Sequence, residues 1–302
     1  MTQNIVNIVY IADENYLMPA AVSIVSAVLN KHTDTQYKIW VLTDSCDEES
    51  TNKYKKLNRN NTEVFLKKID IDDFIPQDVE RPTHVTRISL LKFFIPYIFN
   101  ELNKILYLDC DTIVQADLFE LYSENIGNNF VGAVYDYALA RMPEIQHILE
   151  IPEDKYFNSG VMLMNLEKMR NEKSPEKLLD YKLKSFNRFM DQDAINKVFY
   201  PHILYLNWRY NYYQLSRDKR QGKDTLYCEN LPSSFKESLN QAKIIHFTDK
   251  RKPWIYKKAF YSAFYKKYYM KSPYAKDKLV LKSWKLPYIL KFVKYLFLEN
   301  II

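Results

Sequence analysis

Glycine is scarce in this chain of 302 residues, which contains four, Gly127, Gly132, Gly160 and Gly222. Their spacing cannot form a G-x-G-x-x-G turn or a Walker loop, the two glycine-rich cradles for phosphate. Dinucleotide-dependent oxidoreductases and P-loop kinases are therefore disfavoured. Any phosphate that binds to this chain must be neutralised by a metal ion and by side chains.

Cysteines and long apolar runs are also few. The three cysteines, Cys46, Cys110 and Cys228, are too scattered for a disulfide framework or a zinc knuckle. Residues 1–7 have neither the basic nor the apolar region of a signal peptide. No apolar run reaches the length that a membrane-spanning helix needs. We therefore expect a protein of the reducing cytoplasm.

Positive charge is concentrated towards the end of the sequence. The chain has 43 Lys and Arg against 37 Asp and Glu, a net charge of +6. Residues 250–302 contain 14 of these bases and 2 of the acids, which leaves 29 bases and 35 acids in residues 1–249. An acidic body with a net charge of −6 thus precedes a segment of +12. Basic aromatic segments can bind single-stranded nucleic acid, but the acidic body disfavours that partner.

An apolar run followed by two acids lies at the centre of the sequence. Residues 105–108 are all apolar, which is typical of a strand buried on both faces. Successive side chains of an extended segment alternate, so Asp109 and Asp111 are predicted to point the same way. Two carboxylates held together repel, and a divalent cation relieves that repulsion. The alternative is a surface turn, which the apolar Ile113 and Val114 disfavour.

Strands and helices are predicted to alternate along the first 250 residues. The predicted strands are 7–12, 37–43, 64–69, 105–108, 130–135, 161–165, 203–206 and 243–246, and the predicted helices are 19–29, 48–58, 87–99, 174–184 and 192–199. This order predicts an α/β fold with a doubly wound, mostly parallel sheet flanked by helices. Ligands of such sheets bind beyond the carboxyl ends of the strands, so Asp13 and the acidic pair should face one site. Gly160 is predicted to let backbone approach a ligand closely.

Five motifs occur in an order that resembles a known family. They are Ile-Ala-Asp-Glu-Asn-Tyr at 11–16, Leu-Tyr-Leu-Asp-Cys-Asp at 106–111, Phe-Asn-Ser-Gly-Val-Met-Leu-Met-Asn at 157–165, Asp-Gln-Asp at 191–193 and His-Phe-Thr-Asp-Lys-Arg-Lys-Pro-Trp at 246–254. With them the chain resembles glycosyltransferase family 8, the retaining enzymes that include glycogenin and bacterial lipopolysaccharide galactosyltransferases. The resemblance implies a Rossmann-like GT-A fold, a UDP-sugar donor and Mn²⁺, with Mg²⁺ as the alternative ion. The charge split along the chain predicts a catalytic domain at 1–253 and a helical, basic extension at 254–302.

The resemblance assigns roles to individual residues. It implies that Asp109, Asp111 and His246 hold the cation, and mixed nitrogen and oxygen ligands suit Mn²⁺ better than Mg²⁺. Asp13 would accept the uracil N–H, and Tyr16 would stack on the base. The implied donor-binding residues are Ala12, Asp13, Asn15, Tyr16, Lys92, Asp109, Cys110, Asp111, Asn158, Ser159, Asp191, Gln192 and Lys252.

Asp191 and Gln192 are the implied catalytic residues. The carboxylates at 191 and 193 are also compatible with a glycosidase acid/base pair or with helix capping, so only Asp191 is assigned to the sugar. Gln192 is a poor nucleophile. We therefore expect the acceptor to attack from the face that the phosphate leaves, with the departing phosphate oxygen taking the acceptor proton.

Three positions qualify the resemblance. Lys92 stands where the family usually has Arg, which keeps the charge but loses the bidentate fork. Asp249 stands where the last motif normally has Gly, and it can alter donor contacts or pair with Lys250 or Arg251. His84 matches an acceptor-site position, although a surface-loop histidine is an equal alternative.

Residues 283–298 interleave aromatic residues and leucines with lysines. As a helix this segment would suit an anionic membrane surface; the alternative is a packed cap on the catalytic domain. The sequence as a whole predicts a metal-dependent retaining enzyme, cytoplasmic and peripheral on the inner membrane face. It would move glucose or galactose from a UDP-sugar to a glycan, lipid-linked or glycoprotein acceptor. A nucleotidyltransferase and a catalytically impaired UDP-sugar-binding protein are the alternatives.

Overall fold

The structure is a computed structural model that describes residues 4–79, 86–137, 142–152, 154–185, 188–213, 235–257, 259, 261–277 and 279–283. Its strands are β1 (Asn4–Ile11), β2 (Thr35–Thr43), β3 (Thr62–Lys68), β4 (Lys104–Leu108), β5 (Thr112–Val114), β6 (Val131–Tyr135), β7 (Phe157–Asn165), β8 (Ile203–Tyr205) and β9 (Ile244–His246). Its helices are α1 (Leu17–Asn30), α2 (Glu48–Lys55), α3 (Ile95–Ile98), α4 (Phe119–Tyr122), α5 (Pro143–Ile148), α6 (Leu166–Asn171), α7 (Ser174–Lys184), α8 (Asp191–Phe199), α9 (Phe235–Gln241) and α10 (Ser262–Tyr269).

Seven strands form one twisted layer in the order β3-β2-β1-β4-β7-β6-β8. The pairs β3–β2, β2–β1, β1–β4 and β6–β8 are parallel, whereas β7 runs antiparallel to both of its neighbours. β5 and β9 form a separate antiparallel pair. The predicted α/β fold with a mostly parallel sheet is therefore confirmed. The single reversed strand is the one that contains the Asn-Ser-Gly motif.

The helix predicted over 87–99 differs from the structure. Residues Arg87–Phe94 form a 3₁₀ helix, and the short α3 follows it. Pro96 lies in the first turn of α3, where a missing backbone N–H costs no hydrogen bond. The sequence pattern correctly predicted a helical segment here, but it could not distinguish a 3₁₀ helix from an α-helix.

β7 begins four residues earlier than the predicted strand at 161–165. Its register against β6 shifts between Ala133 and Val134, which pair with Met162 and Asn158. A bulge therefore lies inside β7, and Ser159 and Gly160 belong to it. The polar and small residues of this stretch have the composition of a loop, which is why the sequence placed the strand start too late.

β5 is only three residues long, and side chains of α1 stabilise it. The Ser26 hydroxyl accepts a hydrogen bond from the Val114 backbone N–H at 2.8 Å, and the Asn30 side-chain amide donates to the Val114 carbonyl at 2.9 Å. The Thr112 hydroxyl donates to the Asp109 carbonyl at 2.9 Å. These bonds hold the turn between β4 and β5, which carries the two acids.

The described part of the carboxyl-terminal extension packs on the catalytic body. Trp254, Tyr265, Tyr268 and Tyr274 are buried in the same core as α1, and the Tyr268 hydroxyl accepts a hydrogen bond from the Asn30 amide at 2.7 Å. The predicted domain boundary at residue 253 stays a prediction. The predicted amphipathic segment 283–298 lies outside the described residues apart from its first residue. Within the described ranges, no helix combines the length and apolar character that crossing a membrane requires.

Candidate active site

Three predicted metal ligands converge beyond the ends of β4 and β9. One ligand atom from each of Asp109, Asp111 and His246 lies within 4.8 Å of the other two. His246 Nε2 is 3.1 Å from Asp111 Oδ1 and 3.6 Å from Asp109 Oδ2. β5 pairs with β9 so that Thr112 faces His246, which brings the histidine to the acids. The backbone at 110–111 is a turn and not the predicted extended segment, so the convergence of the carboxylates comes from this turn.

The second ring nitrogen of His246, Nδ1, forms a hydrogen bond with a buried side chain. Nδ1 lies 2.9 Å from Oδ1 of Asn211, a side chain with no exposed surface. A hydrogen bond at Nδ1 leaves Nε2 to face the two carboxylates, which is the arrangement found for metal-ligating histidines. Two carboxylates and one imidazole form a donor set that fits a divalent cation of the Mn²⁺ type.

Gly160 lies directly against this cluster. A Cβ atom at this position would lie 2.2 Å from His246 Cε1 and 2.7 Å from Asp109 Oδ2. The Asp109 backbone N–H donates to the Gly160 carbonyl at 2.7 Å. The close approach that the sequence predicted for Gly160 is therefore an approach to the side chains of two of the predicted metal ligands.

Lys252 contacts the cluster from one side. Its Nζ donates to Asp111 Oδ2 at 2.5 Å and to the Phe247 carbonyl at 2.6 Å. Burial alone would raise the pKa of Asp111, but the charge of Lys252 and the close contacts from Lys252 and His246 outweigh it and hold that pKa well below its usual range. Asp111 is therefore a carboxylate at neutral pH.

Lys92 contacts the cluster from another side. Its buried Nζ donates to Asp191 Oδ2 at 2.6 Å, lies 3.7 Å from Asp109 Oδ1 and sits 4.6 Å from the centre of the Tyr107 ring. Burial would lower the pKa of Lys92, but the carboxylates of Asp109 and Asp191 outweigh it and raise that pKa. Lys92 therefore stays an ammonium ion and links Asp191 to Asp109 of the cluster.

The bulge of β7 is bonded to the start of α8. The Ser159 backbone N–H donates to Gln192 Oε1 at 3.0 Å, and the Ser159 hydroxyl donates to Asp191 Oδ2 at 3.2 Å. Gln192 Nε2 donates to Asp136 Oδ2 at 3.0 Å, and Asn158 Nδ2 donates to the same oxygen at 3.2 Å. Both amide atoms of Gln192 are thus held in place by neighbouring groups.

The end of β1 reaches the same region. Asp13 Oδ1 accepts the Tyr16 backbone N–H at 3.1 Å and caps a 3₁₀ turn. Cys110 Sγ donates to the Ile11 carbonyl at 3.1 Å, which joins the turn between the two acids to β1. Burial and the nearby charge of Asp111 raise the pKa of Tyr16. Ala12 is buried and Asn15 is exposed in this segment.

Comparison with known proteins decides the family. The sequence model of the family described as Glycosyl transferase family 8 matches residues 7–258 of this chain. The chain belongs to glycosyltransferase family 8. Family membership makes it a glycosyltransferase, which takes a nucleotide-sugar donor and a glycan acceptor, and the resemblance inferred from the five motifs is confirmed.

Relatives of this family 8 chain include two curated bacterial proteins. General stress protein A of Bacillus subtilis is 25% identical over 258 residues, which cover 83% of this chain and 87% of the relative. The lipopolysaccharide 1,2-glucosyltransferase of Escherichia coli K12 is 27% identical over 286 residues, or 91% of this chain and 81% of the relative. The solved structure of the galactosyltransferase LgtC, in complex with donor and acceptor sugar analogues, has a TM-score of 0.73 and 22% identity. That match covers 88% of this chain and 96% of LgtC, and it supports the GT-A fold.

Asp193 has a different environment from Asp191 in this family 8 enzyme. Its side chain has no exposed surface and accepts hydrogen bonds from the Tyr156 hydroxyl at 2.5 Å and from the backbone N–H groups of Arg188 and Phe189 at 2.6 and 2.7 Å. Asp193 therefore organises the backbone at the start of α8. Asp191 and Asp193 are not a glycosidase acid/base pair.

Asp249, the unexpected acid of the last motif, is paired within its own loop. Asp249 Oδ1 accepts hydrogen bonds from Nε and the backbone N–H of Arg251, both at 2.7 Å, and a further guanidinium nitrogen contacts Oδ2. Burial would raise the pKa of Asp249, but Arg251 outweighs it and lowers that pKa. The ionised Asp249 is therefore neutralised by Arg251. His84 lies outside the described residues, so its acceptor role stays a prediction.

The sequence did not identify Asp136 or Asn211 as site residues. Asp136 follows β6 directly, so the rule that selected Asp13 at the end of a strand could have selected it too. Asn211 has no comparable signal, because it follows a 3₁₀ turn at Trp208–Tyr210 and is 35 positions before its partner His246. Only the fold brings these two side chains together.

Proposed function

We propose that this glycosyltransferase is a metal-dependent, retaining hexosyltransferase. It moves glucose or galactose from a UDP-sugar to a glycan, lipid-linked or glycoprotein acceptor and forms an α-linkage. The observation that carries the proposal is the cluster of Asp109, Asp111 and His246 with an ammonium group on either side. The names of two relatives, a 1,2-glucosyltransferase and a galactosyltransferase, support glucose or galactose as the sugar.

Asp109, Asp111 and His246 would hold Mn²⁺, which supplies positive charge to the diphosphate as it leaves. Lys252 adds to that charge because its Nζ already lies at Asp111. A leaving group that gains negative charge is stabilised most by cationic groups that are in place before the reaction. In the structure, hydrogen bonds to Asp111 and to the Phe247 carbonyl already hold the Lys252 ammonium group in place.

The nucleotide and the sugar would occupy opposite sides of the cluster. We assign the uracil and ribose to the end of β1, with Asp13 accepting the uracil N–H and Tyr16 stacking on the base. We assign the sugar to the bulge of β7 and the start of α8. The residues assigned to the donor are Ala12, Asp13, Asn15, Tyr16, Lys92, Asp109, Cys110, Asp111, Asn158, Ser159, Asp191, Gln192 and Lys252.

Same-face attack is the mechanism that these side chains favour. Gln192 is a neutral amide with both of its polar atoms in hydrogen bonds. Asp191 is a carboxylate in contact with the Lys92 ammonium group, which reduces its nucleophilicity. The bond between C1 and the phosphate oxygen breaks, the acceptor oxygen bonds to C1 on the same face, and the departing phosphate oxygen takes the acceptor proton.

The proposal predicts an α-linked product from one of two donors. UDP release should be measured with UDP-glucose and UDP-galactose, with and without glycan acceptors, and the product analysed by proton NMR. An α-anomeric coupling is expected. A β-linked product would contradict retention, tight UDP binding without release would indicate a sugar-nucleotide-binding protein, and pyrophosphate release from a sugar phosphate and UTP would indicate a nucleotidyltransferase.

We also propose that the basic extension binds an anionic membrane surface from the cytoplasmic side. On α10 the tyrosines at 265, 268 and 269 are buried, whereas Lys266 and Lys267 are exposed. Each lysine near an anionic leaflet contributes about 1 kcal/mol, and the contribution fades over a Debye length. Such binding would suit an acceptor that is linked to lipid.

The membrane proposal predicts that shortening the chain separates binding from chemistry. A chain that ends at Ser283 keeps the packed Tyr274 but removes three lysines and the aromatic residues of 284–297. We expect it to lose the share of its affinity for anionic liposomes at low salt that these lysines and aromatic residues supply, and to keep hydrolysis of the UDP-sugar. Sedimentation with anionic and with neutral liposomes measures this directly. If the full-length chain ignores anionic liposomes at low salt, the extension is a structural cap.

A further inference from the structure

A row of hydrogen bonds connects the predicted metal ligand His246 to the sugar pocket. His246 Nδ1 lies 2.9 Å from Asn211 Oδ1, and Asn211 Nδ2 lies 2.8 Å from Asn158 Oδ1. Asn158 Oδ1 also accepts the Gly160 backbone N–H at 3.0 Å. All four residues are buried.

The Gly160 backbone N–H, at the end of the row, determines which atom donates and which accepts in every other bond. A backbone N–H can only donate, so the Asn158 atom that faces Gly160 must be its oxygen. An oxygen can only accept, so the Asn211 atom that faces it must be the NH₂ group. The remaining atom of Asn211 is then its oxygen, which requires a hydrogen on Nδ1 of His246.

The other side of Asn158 gives the same assignment independently. Its second amide atom lies 3.2 Å from Asp136 Oδ2, and an ionised carboxylate oxygen can only accept. That atom is therefore the NH₂ group of Asn158. Amide orientation and histidine tautomers are inferred from hydrogen-bond networks, and here a backbone N–H and a carboxylate give one consistent solution.

We propose that Asn211 is a positioning residue that fixes the His246 tautomer and couples the metal site to the sugar pocket, an inference that rests on the proposed function. With the hydrogen on Nδ1, the neutral ring presents the Nε2 lone pair to the side where Asp109 and Asp111 lie. The second half of the Asn211 amide holds Asn158, which is assigned to the sugar. One buried amide therefore serves both sites.

Two substitutions separate the two roles of Asn211. Asn211→Leu removes both bonds, so both tautomers of His246 become populated. Loss of such a partner typically lowers metal affinity about 10- to 100-fold. Asn211→Asp keeps an acceptor for the His246 N–H but places an oxygen against Asn158 Oδ1. It should bind metal within about 3-fold of the wild type, or more tightly, and raise the donor KM about 2- to 10-fold through the lost hydrogen bond.

The experiment uses the full chain and two readouts besides activity. Nitrogen-15 NMR of the His246 ring, without metal and at a pH where the ring is neutral, reports the tautomer. Titration with Mn²⁺ alone, followed by water-proton relaxation, reports the affinity. The wild type and Asn211→Asp should show Nδ1 protonated, and Asn211→Leu should show a mixture. Asn165→Leu is the control, because it removes a half-buried amide that caps α6 at the far end of β7, and should leave both readouts unchanged.

The proposal is overturned by a neutral wild-type ring whose hydrogen is on Nε2, or by an Asn211→Leu variant with unchanged tautomer and Mn²⁺ affinity. It is also overturned if Asn211→Asp loses about as much Mn²⁺ affinity as Asn211→Leu. These readouts need no sugar donor. A wild type with the expected tautomer but no turnover of any UDP-sugar would therefore reject the proposed function and leave the role of Asn211 standing.

Discussion

Replacing Asp111 with asparagine is expected to lower sugar transfer about 10²- to 10⁴-fold. A bound cation is worth several kcal/mol of charge stabilisation in the transition state, and each 1.36 kcal/mol is roughly tenfold in rate. Asp111 contacts both Lys252 and His246, so a neutral amide weakens the metal site and leaves Lys252 without its carboxylate. Steady-state UDP release at saturating Mn²⁺ measures the loss.

The loss of activity has to be separated from a loss of folding. Asp111 and Asp117 are each 8% exposed. Asp117 accepts backbone N–H groups of His32 and Phe119 and lies outside the proposed site. Asp117→Asn is therefore a matched control that should lower thermal stability and keep turnover. If Asp111→Asn folds and keeps more than about half of the wild-type turnover, Asp111 is not part of the catalytic metal site.

Adding a single methyl group at Gly160 is expected to lower activity about 100-fold. The new Cβ would lie 2.2 Å from His246 Cε1, a distance at which the ring must move. A displacement of about 1 Å in an active site can cost roughly 10²-fold in rate. We therefore expect Gly160→Ala to lose Mn²⁺ affinity together with turnover.

Gly132→Ala is the matched control for this prediction. Gly132 also lies in a strand of the main sheet, but a Cβ there would meet its nearest atoms at 3.5 Å, an ordinary contact. We expect this variant to resemble the wild type in Mn²⁺ titration and in UDP release. Equal Mn²⁺ affinity in Gly160→Ala and Gly132→Ala would show that His246 does not bind the metal from its position in the structure.

The sequence predicted the parts of the site that depend on short segments. Asp13 and Asp109 follow apolar strands of the main sheet, and the ends of such strands share one edge of a parallel sheet. His246 ends β9, which its antiparallel pairing with β5 brings to the acids. The alternation rule brought Asp109 and Asp111 together for a reason that the structure does not support, because the backbone between them turns. The two carboxylates nevertheless lie close together, because the turn brings both of them to His246.

The sequence could not predict features that depend on contacts between distant segments. The bulge in β7 arises from its register against β6, and the bond between Asn211 and His246 arises from the packing of a 3₁₀ turn beside β9. The resemblance assigned Lys92 to the donor and marked it as a departure from Arg. Its place between Asp109 and Asp191 required the fold, and there one ammonium group contacts both acids.

The most direct test of metal-dependent transfer is UDP release under control of the cation. The protein should be stripped with EDTA, assayed with UDP-glucose and UDP-galactose, and assayed again after addition of Mn²⁺. We predict that EDTA abolishes release from the preferred donor and that Mn²⁺ restores it. Full turnover in EDTA would contradict the assignment of Asp109, Asp111 and His246 as the catalytic metal site.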